Sequence, residues 1–132
     1  MIVNIMINNF LIIKYIGKDD KIGFKINKDF FVHNLENKKN NRENLVNNLY
    51  NLVNNYKIQL DKNFSVIVNL GPGSFSAIRI SISTAKGLEI SKKIKIFGYK
   101  DTDLKEFDQK NVEKLIKKNL IEKKLIKPIY LS

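Results

Sequence analysis

The residues with the clearest potential for chemistry form a short glycine-rich run, Gly71-Pro72-Gly73-Ser74. Pro72 fixes its own φ at about −65° and lacks an N–H group, and Gly73 can adopt positive φ, so the chain can reverse sharply here. Ser74 is a natural N-cap for a following helix, whose exposed amides and dipole would favour an anion. Because glycine turns of this kind are common connectors, the run alone does not establish a binding site.

Other candidates for catalysis or metal binding are sparse. His33 is the only histidine, and the sequence contains no cysteine. One imidazole cannot make a metal site, and the sequence offers no nucleophile–base pair, carboxylate pair or metal cluster. We therefore expect no catalytic residue, no metal and no cofactor. The lack of cysteine excludes disulfides and favours a cytoplasmic location, and no apolar run is long enough to cross a membrane.

Two elements position the glycine-rich run. Residues 64–70 are a short, β-branched apolar run typical of a buried strand, and residues 75–91 predict a helix. Alternation over residues 78–83 mimics a strand, but a run of about 17 residues without turn residues is too long for one. Apolar residues also recur there with helical spacing, at Phe75, Ile78, Ile82, Ala85 and Leu88. Residues 93–97 predict the next strand, with Gly98 at its end.

The remaining elements follow from hydrophobic patterning. Residues 1–7 and 10–16 are apolar runs joined by Asn8-Asn9, which predicts a hairpin, and residues 21–26 alternate as a third strand. Residues 28–41 are polar, with a loop predicted at residues 38–41. Residues 42–58 and 103–119 predict helices. The expected order is therefore β-β-β-α-β-α-β-α, an α/β domain with a mixed five-stranded sheet.

The helix predicted at residues 42–58 has an apolar arc wider than one core face needs. One stripe of this arc comprises Leu45, Leu49, Leu52 and Tyr56, and a second stripe comprises Val46, Tyr50 and Val53. Together the stripes cover about 160°, against the roughly 100° typical of a core-facing helix. We expect one stripe to face the sheet and the other to face a partner helix, and the sequence does not decide which.

A longer motif resembles the TsaB (YeaZ) family. It runs from Gly71 through Ser74 to Arg79-Ile80, continues with Thr84-Ala85-Lys86-Gly87-Leu88 and ends with Ile96-Phe97-Gly98. In the family the pattern is approximately GPGSFTGLRIG, then AKGLA, then IGV. Ser76 stands where Thr is usual, and Ala77 and Ser81 stand where Gly is usual. The resemblance implies an RNase H-like, actin-type lobe.

The resemblance also bears on nucleotide chemistry. In this family and its larger relatives, an acidic residue in the first hairpin helps to hold a nucleotide's metal and phosphates. Met6 in Ile5-Met6-Ile7 is read as the equivalent position, and a thioether is a poor ligand for magnesium. We therefore expect no ATP hydrolysis.

The resemblance implies a noncatalytic subunit for the formation of threonylcarbamoyladenosine on tRNA. The implied partner is the catalytic subunit TsaD, contacted through the helices predicted at residues 42–58 and 75–91. Ala77, Ser81 and Thr84 are small residues that would let a partner helix approach. A TsaE-type ATPase and a homodimer through the same helices are further expected partners, and tRNA contact is expected to be indirect.

The family's second lobe is represented by only about 30 residues between Gly98 and the C-terminal tail. We expect residues 1–98 to form the lobe and residues 99–132 to complete the same domain, as a shortened form of the family. Two other functions stay open. One is an active actin-type ATPase or glycoprotease-like enzyme, and the other is a small basic nucleic-acid-binding domain. The net charge of +11 favours the last, although 22 of the 24 basic residues are lysines and a biased composition would also produce them.

Overall fold

The structure is a computed structural model that describes residues 9–35, 37–38, 41–42, 45–122 and 129. No helix in this part of the chain combines the length and apolar character that crossing a membrane requires. The elements, in chain order, are β1 (Phe10–Lys14), β2 (Lys21–Ile26), β3 (Asp29–Asn34), β4 (Asn37–Lys38), β5 (Asn41–Arg42), α1 (Leu45–Asn55), β6 (Ser65–Asn69), α2 (Phe75–Lys92), β7 (Lys95–Tyr99), a 3-10 turn (Asp101–Asp103) and α3 (Gln109–Lys117).

A mixed five-stranded sheet organises the fold, as predicted. Its strand order is β3-β2-β1-β6-β7. The strands β1, β2 and β3 are antiparallel neighbours, while β6 is parallel to β1 and β7 is parallel to β6. The two parallel strands are reached through α1 and α2, which is the crossover arrangement that parallel pairing requires. The short strands β4 and β5 pair only with each other among the described residues.

The hairpin predicted from residues 1–7 and 10–16 is wrong. Residues 1–7 lie outside the described residues, but β1 has β2 along one edge and β6 along the other. Because a strand has only two edges, β1 has none left for a hairpin with the preceding run. The first hairpin of the sheet is β1–β2. The prediction failed because two neighbouring apolar runs look like a hairpin locally, whereas the actual partner of β1 is β6, more than 50 residues away.

The third strand of the sheet lies in a polar stretch for which no strand was predicted. Residues 28–41 include β3, which pairs with β2 along its whole length. Five of its six residues are exposed, so its polar residues Asp29, His33 and Asn34 do not conflict with strand formation. An edge strand can be polar because it buries little of its surface.

Helices cover both faces of the sheet. Alternate residues of β1 point to opposite faces, so Leu11 and Ile13 pack with α1 and α2, and Phe10 and Ile12 pack with α3. The residues of α3 that enter the second core are Val112, Leu115 and Ile116. Residues beyond 98 thus share a core with the sheet formed before them.

The helices α1 and α3 are shorter than predicted at both ends, since they end at Asn55 and Lys117. The helix expected at residues 42–58 begins at Leu45, because Arg42 pairs with Asn37 in the β4–β5 ladder. The helix expected at residues 103–119 begins only at Gln109, where the Asp108 carboxylate accepts a hydrogen bond from the Asn111 amide at 2.8 Å. The helix expected at residues 75–91 is confirmed as α2, with one residue more.

Gly98 lies inside β7 and does not end it. Its backbone exchanges two hydrogen bonds of 2.7 Å with Glu122. A Cβ atom at residue 98 would lie 2.7 Å from Leu70 Cδ1. The glycine is therefore explained by close packing against Leu70 and not by a turn.

Candidate functional site

The glycine-rich run connects β6 to α2 and forms a tight turn. The Gly71–Pro72 peptide bond is cis, and Gly71 has a φ of 99°, a value that favours glycine. Ser74 is the N-cap of α2, as predicted. Its hydroxyl accepts from the Ala77 amide at 3.5 Å, and its carbonyl accepts from the Ile78 amide at 3.0 Å.

Polar backbone groups of this turn are bound within the chain. The Gly71 amide donates to Asn69 Oδ1 at 2.8 Å, and the Ser74 amide donates to the Ile16 carbonyl at 2.7 Å. A Cβ atom at residue 73 would lie 2.6 Å from Ile16 Cβ. The turn is thus packed directly against the loop that follows β1. This packing supports a structural connector, with its glycines needed for close approach.

Asn69 is a buried polar residue at the carboxyl end of β6, and sequence reasoning passed over it. Its Nδ2 donates to Tyr99 Oη at 3.2 Å and to Asp101 Oδ1 at 2.9 Å, while its Oδ1 holds the Gly71 amide. Burial raises the pKa of the Tyr99 hydroxyl above its ordinary value, so this group is neutral at physiological pH. The network joins the ends of β6 and β7 to the glycine-rich turn. An asparagine inside the apolar run of residues 64–70 was the available signal.

A polar pocket lies at the end of β1. Met6 lies outside the described residues, and the first hairpin strand is β1, which ends at Lys14. Lys14 lines a pocket of about 310 Å³ together with Lys21, Asp19 and Asp101. An ammonium group cannot bind a cation. No cluster of three or more metal-ligating side chains occurs in the described part of the chain.

The exposed stripe of α1 can now be assigned. Leu45, Leu49 and Leu52 are buried against the sheet. Tyr50 is 67% exposed and Val46 is 49% exposed. The first stripe therefore faces the core, and the second stripe carries the exposed apolar surface.

Two residues of these stripes behave differently from their neighbours. Val53 lies on α1 but is half-buried, and it packs against the core. Tyr56 follows the end of the helix, and its ring lies 4.7 Å from that of Phe24 and 5.2 Å from that of Phe31. Tyr56 thus belongs to an aromatic cluster over β2 and β3 and not to the face formed by the leucines.

The small residues of α2 divide between its two sides. Ala77 and Ser81 are buried within the chain. Thr84 is half-buried, and its hydroxyl donates to the Ile80 carbonyl at 2.7 Å. The outer side of α2 is a shallow groove of about 430 Å³ lined by Phe75, Ser76, Arg79, Ile80, Ser83 and Thr84. A partner helix could reach these residues without disturbing the core.

Arg79 lies on this groove. It is exposed, and its guanidinium carbon lies 5.1 Å from the centre of the Phe75 ring, in a cation–π contact. The same ring is 55% exposed. The stack presents a fixed positive charge and an apolar ring side by side on the outer surface of α2.

Comparison with known proteins supports the fold assignment. No protein-family model matches the sequence, and no curated protein matches it. Solved structures do match. YeaZ from Pseudomonas aeruginosa superposes with a TM-score of 0.65 at 15% identity, over 74% of this chain and 46% of that chain. A structure described as an uncharacterized protein with similarity to peptidase YeaZ, also from P. aeruginosa, gives a TM-score of 0.64 at 15% identity, over 74% and 45% of the two chains.

The chain is therefore an α/β protein with the fold seen in YeaZ structures. It spans less than half the length of the YeaZ structures that it matches. The resemblance predicted from the glycine-rich motif is confirmed at the level of the fold.

Proposed function

We propose that the chain is a TsaB (YeaZ)-type protein with an RNase H-like, actin-type lobe, and that it acts as a noncatalytic subunit in the formation of threonylcarbamoyladenosine on tRNA. In this proposal it binds a TsaD-type catalytic subunit in the cytoplasm. The support is the motif from Gly71 to Gly98 together with the fold shared with YeaZ structures.

One observation carries the proposed partner role, namely the apolar surface on the outer side of α1 and α2. On α1 it comprises Val46 and Tyr50, and on α2 it comprises Phe75, Ile80 and Ile90, which are between 41% and 81% exposed. Large exposed apolar side chains grouped on adjoining helices are typical of protein interaction sites. These are the two helices that the family resemblance assigns to the TsaD contact.

The noncatalytic role is supported by the carboxyl ends of the parallel strands. The Asn69 side chain forms hydrogen bonds with Tyr99, Asp101 and the Gly71 amide, so its role is structural. Lys14 lies at the end of β1 and lines the pocket there together with Lys21. A positive charge there opposes a second cation.

Other parts of the assembly are less directly supported, because the chain spans less than half of the YeaZ structures. A TsaE-type ATPase, a homodimer through α1 and α2, and indirect contact with tRNA are included in the proposal on the resemblance alone. The exposed face would be shared by TsaD and a second copy, so these two contacts would compete.

Two substitutions on α1 test the partner role. Tyr50→Glu places a charge on the exposed stripe, so the fold should survive while binding to the TsaD homologue from the same organism falls at least tenfold. Leu49→Glu places a charge in the core and should cost several kcal/mol, enough to unfold a marginal domain. Leu120→Glu serves as a control, since Leu120 is exposed beyond α3 on the other side of the sheet.

Thermal melting and titration calorimetry with the TsaD homologue would be measured for each variant. The proposal requires a normal melting temperature with weak binding for Tyr50→Glu, and normal values of both for Leu120→Glu. Undiminished binding by Tyr50→Glu would exclude the outer face of α1 as the contact.

A further inference from the structure

Three lysines form a stripe along the outer side of α3 and its C-cap. Lys110, Lys114 and Lys118 follow one another at intervals of four residues, and all three are exposed. At 3.6 residues per turn they lie within an arc of about 80°. The buried apolar residues of α3 occupy the opposite side of the helix. This lysine stripe therefore points away from the sheet and into solvent.

Helix stability does not explain the lysine stripe. Lys110, Lys114 and Lys118 form no ion pair with any described residue. Like charges four residues apart destabilise a helix. Lys110 also lies in the first turn of α3, where the helix dipole favours an acidic residue. The dipole favours a cation only toward the other end, at Lys114 and Lys118. The arrangement thus opposes folding in part, and an anionic partner would relieve that cost.

We propose that the lysine stripe binds the phosphate backbone of tRNA directly. This contact goes beyond the proposed function, in which tRNA contact is indirect, but the choice of tRNA among polyanions rests on that function. The stripe spans about 12 Å along the helix axis. A duplex with the charge density of DNA presents roughly seven phosphates over that length. The net charge of +11 adds long-range attraction to the same partner.

The buried side of α3 distinguishes tRNA from an anionic membrane. A helix that lies on a membrane inserts an exposed apolar face between the lipids. In α3 that face is already occupied, because Val112, Leu115 and Ile116 pack in the second core with the sheet. A phosphate backbone requires only ammonium groups from the exposed side. The stripe offers such groups.

The position of α3 leaves the proposed TsaD contact free. Phe10 and Ile12 pack with α3 on one face of the sheet, whereas Leu11 and Ile13 pack with α1 and α2 on the other. One chain can therefore hold tRNA and TsaD on opposite sides. Phosphate contacts position a protein on a nucleic acid without reading its sequence. The stripe accordingly holds tRNA in place and does not select it.

Fluorescence anisotropy with a labelled tRNA tests the stripe. The stripe variant combines Lys110→Gln, Lys114→Gln and Lys118→Gln, because glutamine removes the charge and retains a high helix propensity. The matched control loses the same charge at three exposed lysines outside α3, namely Lys62→Gln, Lys86→Gln and Lys92→Gln. The melting temperature of the stripe variant should be unchanged or higher, since two like-charge pairs disappear.

The salt dependence of binding gives the expected result. Between about 50 and 200 mM salt, losing three phosphate contacts should make the slope of log K against log salt shallower by roughly 2–3. At about 50 mM salt the stripe variant should bind at least tenfold more weakly than wild type, and the control should lose less than about threefold. Equal losses in the two variants would overturn the stripe as the site, because net charge alone would then account for binding.

Competition identifies the partner. Displacement of the labelled tRNA by duplex DNA or by phosphatidylserine vesicles, at a lower phosphate concentration than unlabelled tRNA requires, would overturn tRNA as the occupant.

Titration calorimetry with the TsaD homologue separates this contact from the proposed function, since the stripe variant should bind TsaD as wild type does. A wild-type protein that binds TsaD but not tRNA would overturn the stripe proposal alone. One that binds tRNA through the stripe but does not bind TsaD would instead overturn the proposed function.

Discussion

Single polar side chains in the core decide how the glycine-rich turn is held. Asn69 is fully buried and binds three different segments, namely the Gly71 amide, the Tyr99 hydroxyl and the Asp101 carboxylate. The turn that looked like a ligand site is thus fastened from within by a strand residue. Asp20 plays a similar part after β1, where its carboxylate accepts from the Ile16 amide at 2.8 Å. The side chains of Asn69 and Asp20 therefore hold backbone amides of neighbouring loops in place.

Removing the Asn69 side chain should be strongly destabilising. Asn69→Ala leaves the Gly71 amide and the Tyr99 hydroxyl without this partner, and each such buried group costs about 1–3 kcal/mol. We expect a loss of about 2–4 kcal/mol in the free energy of unfolding, measured by urea denaturation. Asn51→Ala, on the exposed side of α1, should change stability by less than about 0.7 kcal/mol. Equal midpoints for Asn69→Ala and wild type would contradict the role of the network.

At the scale of the elements, packing and not propensity determines where helices and strands lie. The helix α1 contains five asparagines, which are mediocre helix formers, and it is maintained by burying Leu45, Leu49 and Leu52. Two glycines show that the effect of packing differs from one position to another. A Cβ at Gly98 would meet Leu70, whereas a Cβ at Gly87 would meet nothing within 4 Å.

Alanine substitutions at these two glycines should have opposite effects. Gly87→Ala should stabilise the chain by up to about 1 kcal/mol, because alanine is the better helix former and the space is open. Gly98→Ala should destabilise it by about 1–3 kcal/mol, because the new methyl group overlaps Leu70. Urea midpoints of the two variants would be compared with wild type. A destabilised Gly87→Ala would contradict the open surface at that point of α2.

The attachment of α3 to the sheet should depend on pH. Lys25 Nζ lies 3.1 Å from Glu113 Oε1. The hydrogen bond from Lys25 is the main cause that lowers the pKa of the Glu113 carboxyl below its ordinary value of 4.5, and the hydrogen bond from Gln109 is the second cause. A lowered folded-state pKa contributes stability above the unfolded-state pKa and loses it as pH falls through the folded-state value. The contribution is therefore present at pH 7 and lost in acid.

Glu113→Gln measures this contribution. At pH 7 it should lower the free energy of unfolding by no more than about 1 kcal/mol, because the pair is partly exposed. The difference from wild type should shrink as the pH falls below 4.5, the ordinary pKa of the carboxyl. A difference that grows toward acid pH would contradict the assigned sign.

For the whole molecule, the sequence predicted the mixed sheet and its crossovers best from residue 64 onward. There the motif and the hydrophobic periodicity agree, so β6, α2 and β7 lie within two residues of their predicted bounds at every end. The first half was harder. The edge strand β3 has three adjacent apolar residues, Phe30, Phe31 and Val32, but no alternation of polar and apolar residues, and β1 forms its second ladder with the distant β6. The pairing of β1 with β6 is not encoded locally.

The features of the candidate site were predicted less completely than the fold. The cap at Ser74 followed from its position after a glycine turn. The sequence did not show which stripe of α1 faces the core. Both stripes are apolar, and only the position of the sheet distinguishes Leu49 from Tyr50. The role of Asn69 was missed because its partners Tyr99 and Asp101 come from a segment about 30 residues later.

The central proposal is that the chain is a noncatalytic binding subunit, and titration calorimetry with the TsaD homologue from the same organism tests it most directly. We expect a one-to-one complex with a dissociation constant of about 1 µM or tighter, and no heat when magnesium and ATP are added to the chain alone. No complex at about 100 µM, together with tight binding of ATP at one site per chain, would contradict it.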